Sequence, residues 1–302
     1  MVSKDEVTVV IPILNESEAI GKVLDELKGF GYENILVVDG YSTDGTQQVV
    51  AREGARLVGQ VGKGKTGALL TAVNHVKTPY MLVMDGDYTY DPSCIERILV
   101  HASEYDQIIG ARTTGRHYIP IINRLGNRLL SWVFKILFAV RLSDVCSGMY
   151  LLRTDAAKSL EFTTGRFDVE VEIASQMAMD GRVTEVGVNY GPRLGKQKLS
   201  SFRHGITILM SIVRLANINN PVLLYSGFIA LAAIPALALL AWVAYRRFVF
   251  NIWHSGYALF GIMLLVLASQ ALAVSTMSLL VKRSEQRLYR RIRRDELSKE
   301  SR

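Results

Sequence analysis

Two long stretches without a formal charge constrain this chain more than any other feature. Residues 215–245 contain no Asp, Glu, Lys or Arg over 31 positions, residues 248–281 contain none over 34, and only Arg246 and Arg247 separate them. A helix needs about 20 mainly apolar residues to cross the hydrocarbon core of a bilayer. The sequence therefore predicts membrane spans at residues 222–244 and 257–281, joined by a short turn. Buried core helices are the alternative, but two adjacent ones of this length are hard to house in one soluble core. The spans also explain the composition, which reaches 49% hydrophobic residues without counting glycine. The first ten residues pass from polar to strand-like with no apolar stretch and no cleavage pattern, so no signal peptide is expected.

Charge is partitioned along the chain. Residues 1–106 carry nine Lys/Arg and 16 Asp/Glu, a net −7, whereas residues 107–214 carry 15 and eight, a net +7. The overall +7 therefore belongs to Arg246, Arg247 and the tail 282–302, which holds nine basic and four acidic residues. By the positive-inside rule the tail is cytoplasmic, and a two-span hairpin returns residues 1–214 to the same side. Arg246 and Arg247 weigh against that orientation without reversing it. The tail reads as a basic helix for the membrane surface or for self-association into a homo-oligomer, and no nucleic-acid partner is expected. Cys94 and Cys146 lack metal-ligand spacing and read as structural thiols in a reducing compartment.

The first 214 residues alternate strand and helix signals. Strands are expected at Val7–Ile13, Ile35–Val38, Arg56–Val58, Tyr80–Met84 and Gln107–Gly110, with helices at Ser17–Lys28, Thr46–Glu53 and Gly67–Val76, Ser17 being a candidate N-cap. That rhythm implies an α/β fold with an open, mostly parallel sheet, whose ligands bind at the carboxyl ends of the strands. Carboxylates stand at those ends: Asn15 and Glu16 follow Ile13, Asp39 closes the second strand, and Asp85 and Asp87 close Tyr80–Met84. From Ile121 to Val140 an apolar segment carries Arg124, Arg128 and Lys135, too charged to span and too apolar for a solvated helix. It reads as an interfacial amphipathic helix or as a core helix; residues 204–217 are a second interfacial candidate.

Three motifs carry chemistry. In Asp85-Gly-Asp87 two carboxylates at i and i+2 after a buried strand can hold a divalent ion together with a diphosphate. In Val37-Val-Asp-Gly-Tyr-Ser-Thr-Asp-Gly-Thr46, Asp39 can accept hydrogen bonds from a nucleobase or ribose, while Asp44 and Thr46 read equally as helix-start residues. Gly59-Gln-Val-Gly-Lys-Gly-Lys-Thr66 fits the P-loop pattern, so a membrane-anchored ATPase is an alternative; its strand is very short, and it leaves the other strand ends unexplained. On the milder reading the glycines admit a diphosphate that Lys63 and Lys65 reach.

Together with Val-Ile-Pro-Ile-Leu-Asn-Glu16 and Gly110-Ala-Arg112, these stretches resemble family 2 glycosyltransferases of the GT-A (Rossmann-like) fold, and more narrowly the polyprenyl-phosphate or dolichyl-phosphate sugar synthases. Asn123-Arg124, Asp144-Val-Cys-Ser-Gly-Met-Tyr-Leu-Leu-Arg153, Phe167-Asp-Val-Glu-Val-Glu172 and Tyr190-Gly-Pro-Arg-Leu-Gly-Lys-Gln-Lys-Leu199 extend the resemblance over residues 7–203, and the wording is most similar to the archaeal branch of N-glycan assembly. The resemblance implies a GT-A domain over residues 1–203. It also implies inverting transfer of a hexose or N-acetylhexosamine from a nucleotide sugar, UDP-linked by preference, to dolichyl or polyprenyl phosphate; a GDP-mannose donor is the alternative. It implies nucleotide contacts from Pro12, Asn15, Glu16, Asp39 and Asp85. Mg²⁺ or Mn²⁺ would sit on Asp85 and Asp87, Arg112 on the diphosphate, Arg124 on the lipid phosphate, and Arg193 and Lys198 beside the phosphates. Two departures stand out: Thr89 replaces a common Gln, and Gln197-Lys198 replaces Ser-Lys. The Q-x-x-R-W motif of processive synthases is missing. An acceptor phosphate is already an anionic nucleophile, so positioning matters more than a strong base. Glu170 or Glu172 acts as a base, orients a cation, or merely complements a helix start.

Overall fold

The segment Val7–Ile13 has the composition of a strand covered on both faces, and in the computed structural model six of its seven residues are buried. The structure describes residues 2–160, 162, 169–195 and 221–300. The chain divides into two compact units, residues 1–212 and 213–302, which are taken in turn.

In the first unit seven strands form one sheet: β1 (Val7–Ile13), β2 (Ile35–Asp39), β3 (Arg56–Gly59), β4 (Tyr80–Val83), β5 (Gln107–Thr114), β6 (Tyr150–Arg153) and β7 (Val183–Asn189). Their order across the sheet is β3-β2-β1-β4-β6-β5-β7. Neighbours pair in parallel, except that β6 runs antiparallel between β4 and β5. The helices are α1 (Ile20–Gly29), α2 (Thr46–Arg52), α3 (Gly64–His75), α4 (Ile95–Leu99), α5 (Ile121–Phe138), α6 (Thr154–Lys158) and α7 (Val169–Asp180). Residues alternate between the two sides of a strand, and Val7, Val9, Ile11 and Ile13 join Ile20, Val23, Leu24 and Leu27 of α1 and Ile95, Ile98 and Leu99 of α4 in one core. Helix α3, buried through Ala68, Leu69, Ala72 and Val73, contacts β1 and β2.

The expected mostly parallel α/β sheet is present, with local differences. Ser17 does not cap α1, which starts at Ile20 after an uncapped Ala19; the N–H groups of Ala19 and Ile20 donate instead to Glu16 O at 3.1 and 3.0 Å. Helix α3 starts at Gly64 instead of Gly67, and β5 runs on to Thr114. The strands β6 and β7 follow from no clear period in the sequence: β6 has only four residues, and β7 is half-buried along most of its length. The helix expected at residues 204–217 lies outside the described residues.

Helix α5 shows three distinct sectors. Leu130, Ser131, Phe134 and Leu137 are buried, while Ile121, Ile122, Leu125, Leu129, Trp132 and Ile136 are all exposed. At 100° per residue the exposed apolar side chains share one arc, and Arg124, Arg128 and Lys135 form a row beside it.

The second unit contains α8 (Pro221–Phe250) and α9 (Ser255–Glu300). Within them Tyr225–Phe250 and Ser255–Val281 are long and apolar enough to cross a membrane, with mean hydropathies of 2.3 and 2.1. Most of their large apolar side chains are exposed, the opposite of core helices in a soluble domain. The first span does not stop before Arg246 and Arg247, as the charge pattern suggests; arginine is a good helix former, and α8 continues through both to Phe250. The break comes at Asn251, in the left-handed region at φ 56°. Small or narrow residues line the packed seam: Ala236 and Val243 on α8, and Ala258, Gly261, Ala268 and Ser275 on α9 are buried. Gly261, Ala268 and Ser275 recur every seven residues, the spacing of a left-handed helix pair. A Cβ at Gly261 would stand 2.9 Å from Leu240 Cγ, so any larger residue there would push the Leu240 side chain aside, and small residues favour such close approach in membrane helix pairs generally.

Leu82 of the central strand β4 is completely buried. Leu82→Ala is expected to destabilise the first unit by about 3 kcal/mol through lost transfer energy and a residual cavity, read as a lower unfolding midpoint of the detergent-solubilised protein.

Candidate active site

Strand order reverses at β1: β2 and β3 build to one side and β4 to the other. This is the switch point where open α/β sheets bind ligands, and the sequence opens it further. The β1–β4 ladder ends at Val10↔Val83, with Met84 N–H donating to Val10 O at 3.0 Å. Pro12, two residues on and half-buried, points its backbone the same way but has no N–H to donate. Strands β1 and β2 stay paired to Ile13↔Asp39, so β4 separates from β1 at the level of Pro12.

Two loops are fastened together at the rim. Asn15 N–H donates to Ser42 Oγ at 2.8 Å, Glu16 N–H to Thr46 Oγ1 at 2.9 Å, and Ser17 N–H to Asp44 Oδ2 at 3.1 Å, while Thr43 N–H donates to Asn15 Oδ1 at 2.8 Å. Burial works against the Asp44 charge, but the donors from Thr46 and Ser17 outweigh it and lower its pKa to about 2. Asp44 and Thr46 thus join the loops, and the α2 N-cap is Gly45. Asn15, Tyr41 and Tyr88 hold left-handed φ values of 52°, 67° and 66°, each costing on the order of 1–3 kcal/mol; all three lie just beyond the ends of β1, β2 and β4.

Asp39, at the end of β2, is 1% exposed. It accepts from Ser42 N–H at 3.0 Å, Ser42 Oγ at 2.5 Å and Gln47 Nε2 at 2.6 Å. Asp87 is also buried; Thr89 donates to its Oδ1 from N–H at 3.2 Å and from Oγ1 at 2.5 Å. Burial and the Asp85 charge push the Asp87 carboxyl above its usual range, while Thr89 and Arg193 pull it back. Arg193 bridges two strand ends, with Nη2 2.8 Å from Glu16 Oε1 and Nη1 3.2 Å from Asp87 Oδ2. Glu16, Asp87 and Arg193 are therefore brought together.

Asp85 meets a residue to which the sequence pattern assigns a phosphate. Lys65 Nζ lies 2.6 Å from Asp85 Oδ1 and 2.6 Å from Glu170 Oε1. Burial alone would lower the Lys65 pKa, but the two carboxylates hold it well above the usual lysine range. Lys63, by contrast, is exposed at the N-cap of α3. The P-loop pattern is not a P-loop: β3 is the edge strand, separated from β4 by β2 and β1, and the motif's lysine is held by two carboxylates. Because α7 is helical from Val169, Glu170 and Glu172 point about 200° apart; Glu170 is buried and Glu172 half-buried.

Arg112 has a partner that the resemblance does not supply. Its Nε and Nη2 donate to Asp144 Oδ2 and Oδ1 at 2.6 and 2.7 Å, and its backbone N–H donates to Oδ2 at 3.0 Å. Asn127 Nδ2 adds a bond to Asp144 Oδ1 at 2.7 Å, and the Tyr190 ring lies 5.4 Å from the guanidinium. Burial alone would raise the Asp144 pKa; Arg112 reverses the sign and holds it below the usual range. Arg124 is exposed on α5, and Lys198 lies outside the described residues. Asp144, Lys65, Glu170 and Gly148 carry more of the geometry than the motifs alone indicate. A Cβ at Gly148 would stand 2.0 Å from Asp85 Oδ2, so glycine is required there to admit the carboxylate.

The glycosyl transferase family 2 profile matches residues 8–155. Glycosyltransferase AglJ of Haloferax volcanii is 34% identical over 281 residues, covering 88% of this chain and 92% of that protein. The chain belongs to glycosyl transferase family 2. This glycosyltransferase is also 31% identical over 215 residues to a dolichyl-phosphate hexose transferase of the same organism, covering 70% of this chain and 93% of that protein. Among solved structures, glucosyl-3-phosphoglycerate synthase from Mycobacterium tuberculosis, in complex with Mn²⁺ and UDP-glucose, superimposes with a TM-score of 0.57 at 21% identity, covering 70% of this chain and 78% of that one. That likeness shows the shared GT-A fold.

Arg112→Met leaves Asp144 buried without its cation, and is expected to cost the first unit about 3–5 kcal/mol; Arg112→Met with Asp144→Leu recovers most of that in chemical denaturation. The Asp44 contribution is complete above the ordinary aspartate pKa of 3.8 and is lost as pH falls through about 2. Wild type is accordingly expected to lose its advantage over Asp44→Asn across that window in acid unfolding.

Proposed function

We propose that this glycosyltransferase moves a hexose or N-acetylhexosamine from a nucleotide sugar, UDP-linked by preference, to a polyprenyl or dolichyl phosphate with inversion at the anomeric carbon. The observation that carries the reading is the pairing, in one catalytic unit, of a carboxylate-lined strand edge with a helix, α5, that exposes an apolar arc beside a basic row. The first suits a nucleotide diphosphate with a divalent ion. The second suits a lipid phosphate at a bilayer surface, where basic residues meet anionic headgroups and apolar ones meet acyl chains. The related dolichyl-phosphate hexose transferase supports the acceptor class, and the Mn²⁺–UDP-glucose complex of the structural neighbour supports the donor class.

Asp85 and Asp87 fit a divalent ion: two carboxylates meet at i and i+2, close enough for the charge of Asp85 to be felt at Asp87. Among the described residues no third His, Cys, Asp or Glu completes a protein-only site, so diphosphate oxygens would supply further ligands. A bound Mg²⁺ or Mn²⁺ would neutralise diphosphate charge. Pro12, Asn15, Glu16 and Asp39 border the nucleoside, Lys63 approaches the diphosphate from the α3 N-terminus, and Arg193 can exchange its carboxylate partners for phosphate oxygens. Arg112, anchored by Asp144, backs this wall. Arg124 with Lys198 holds the acceptor phosphate. One acceptor phosphate oxygen forms the new bond to the anomeric carbon as the bond to the nucleoside diphosphate breaks. The acceptor is an anion near neutral pH, so positioning and charge compensation dominate.

Helices α8 and α9 anchor the chain as a hairpin, with residues 1–203, the interfacial segment 204–217 and the tail 282–302 on the cytoplasmic side. Membranes incubated with labelled UDP- and GDP-sugars and polyprenyl phosphate are expected to yield a labelled lipid from a UDP-sugar. Asp87→Ala abolishes that transfer, by at least about 100-fold, while leaving the protein in the membrane. Arg124→Ala raises the acceptor KM or lowers kcat at unchanged donor KM; a defect in donor binding alone would remove Arg124 from the acceptor site.

A further inference from the structure

The Gly-Lys-Gly-Lys segment finds no phosphate in the P-loop sense, yet its second lysine is among the most constrained side chains of the catalytic unit. Lys65 leaves the first turn of α3 and ends between a strand-end carboxylate, Asp85, and a helix carboxylate, Glu170. The three side chains are 17%, 33% and 10% exposed, so these bonds are made largely out of water, where a misplaced charge is costly. Asp85 is gripped from two sides. Lys65 holds Oδ1, and Oδ2 lies over Gly148, where a side chain would displace it. Tyr150, paired with Val83 across β4 and β6, contributes a buried wall whose hydroxyl has no hydrogen-bond partner among the described residues.

We propose that Lys65, itself held by Glu170, is a positioning residue that orients the Asp85 carboxylate toward the donor nucleotide and the divalent ion bound with it, and that Glu170 is not a general base. The assignment rests on the donor-site reading above and gives the Lys65 segment its role: it acts on the nucleotide through Asp85 instead of touching a phosphate. It also ties α7 to the donor edge, since Glu170 stands in the first turn of that helix. A base would have to face the acceptor and exchange a proton; Glu170 is buried, is ion-paired to Lys65, and serves a reaction whose nucleophile is already anionic.

The test is calorimetric titration of UDP with Mn²⁺ into the full-length protein in detergent, alongside initial rates with the sugar nucleotide that wild type uses. Lys65→Met is expected to weaken UDP binding and raise the donor KM about tenfold or more, with kcat and the acceptor KM changed less than about threefold, because a positioning contact common to ground and transition states acts on binding. Glu170→Gln shifts the same quantities in the same direction by less. The double variant is no worse than Lys65→Met alone, since the two residues act as one unit. It also avoids leaving two buried carboxylates side by side, so it carries the comparison if Lys65→Met fails to fold. Unchanged UDP affinity in the lysine variants overturns the proposal. So does a Glu170→Gln enzyme with normal UDP binding and a kcat lowered about 100-fold or more, the mark of a lost base. Failure of the donor reading shows in wild type itself, which would bind no nucleoside diphosphate and transfer no sugar, and that result removes both.

Discussion

Carboxylates gathered at one end of a sheet repel each other, and this repulsion is the constraint around which the catalytic unit is arranged. Glu16, Asp39, Asp85 and Asp87 stand at or just beyond the ends of β1, β2 and β4, and Glu170 approaches from α7. Each is held by donors brought from elsewhere: Arg193 spans Glu16 and Asp87, Lys65 spans Asp85 and Glu170, and the 42–47 loop surrounds Asp39. Like charges at short range in a poorly solvated site cost several kcal/mol unless compensated. The basic half, residues 107–214, supplies Arg193, and the acidic half, residues 1–106, supplies its own Lys65. The −7/+7 division of residues 1–214 is therefore partly internal compensation, in addition to any attraction for phosphates.

The backbone makes room for that cluster. Pro12 ends the β1–β4 ladder on the side facing β4, Gly148 clears the space over Asp85, and three non-glycine residues adopt left-handed conformations at the strand ends. Such conformations persist only where neighbours enforce them. Here the enforcement includes the hydrogen-bonded seam between residues 15–17 and 42–46. The rigid sheet and this seam together hold the carboxylate-lined edge at the switch point.

Apolar surface plays two roles. In the sheet it is buried on both faces, as parallel strands require. On α5 and along α8 and α9 it is left exposed over far more side chains than a soluble domain tolerates, and among the described residues of the hairpin the fully buried ones are small or narrow. The two helices meet where side chains are short, because between apolar helices in lipid close packing replaces the hydrophobic effect as the attraction.

Much of this was legible in the residues alone. Uncharged length determined the two helices long and apolar enough to cross a membrane, β-branched runs determined the central strands β1, β2 and β4, and the placement of Asp39, Asp85 and Asp87 after those runs determined the edge where the acids gather. Local pattern could not determine partners. That Lys65 faces Asp85 and Glu170, that Arg112 is fastened by Asp144, and that Arg193 returns from far along the chain to Glu16 and Asp87 are contacts between segments tens to well over a hundred residues apart, chosen by the crossing of strands and helices. The short strands β6 and β7 were decided the same way: with few residues and no clean period, they become strands because β5 presents them with unpaired backbone groups. The sequence by itself determined which segments are membrane-long, which are strands and where the acids stand; only the tertiary structure decided which cation neutralises which acid, because that depends on distance through space, which linear spacing does not encode.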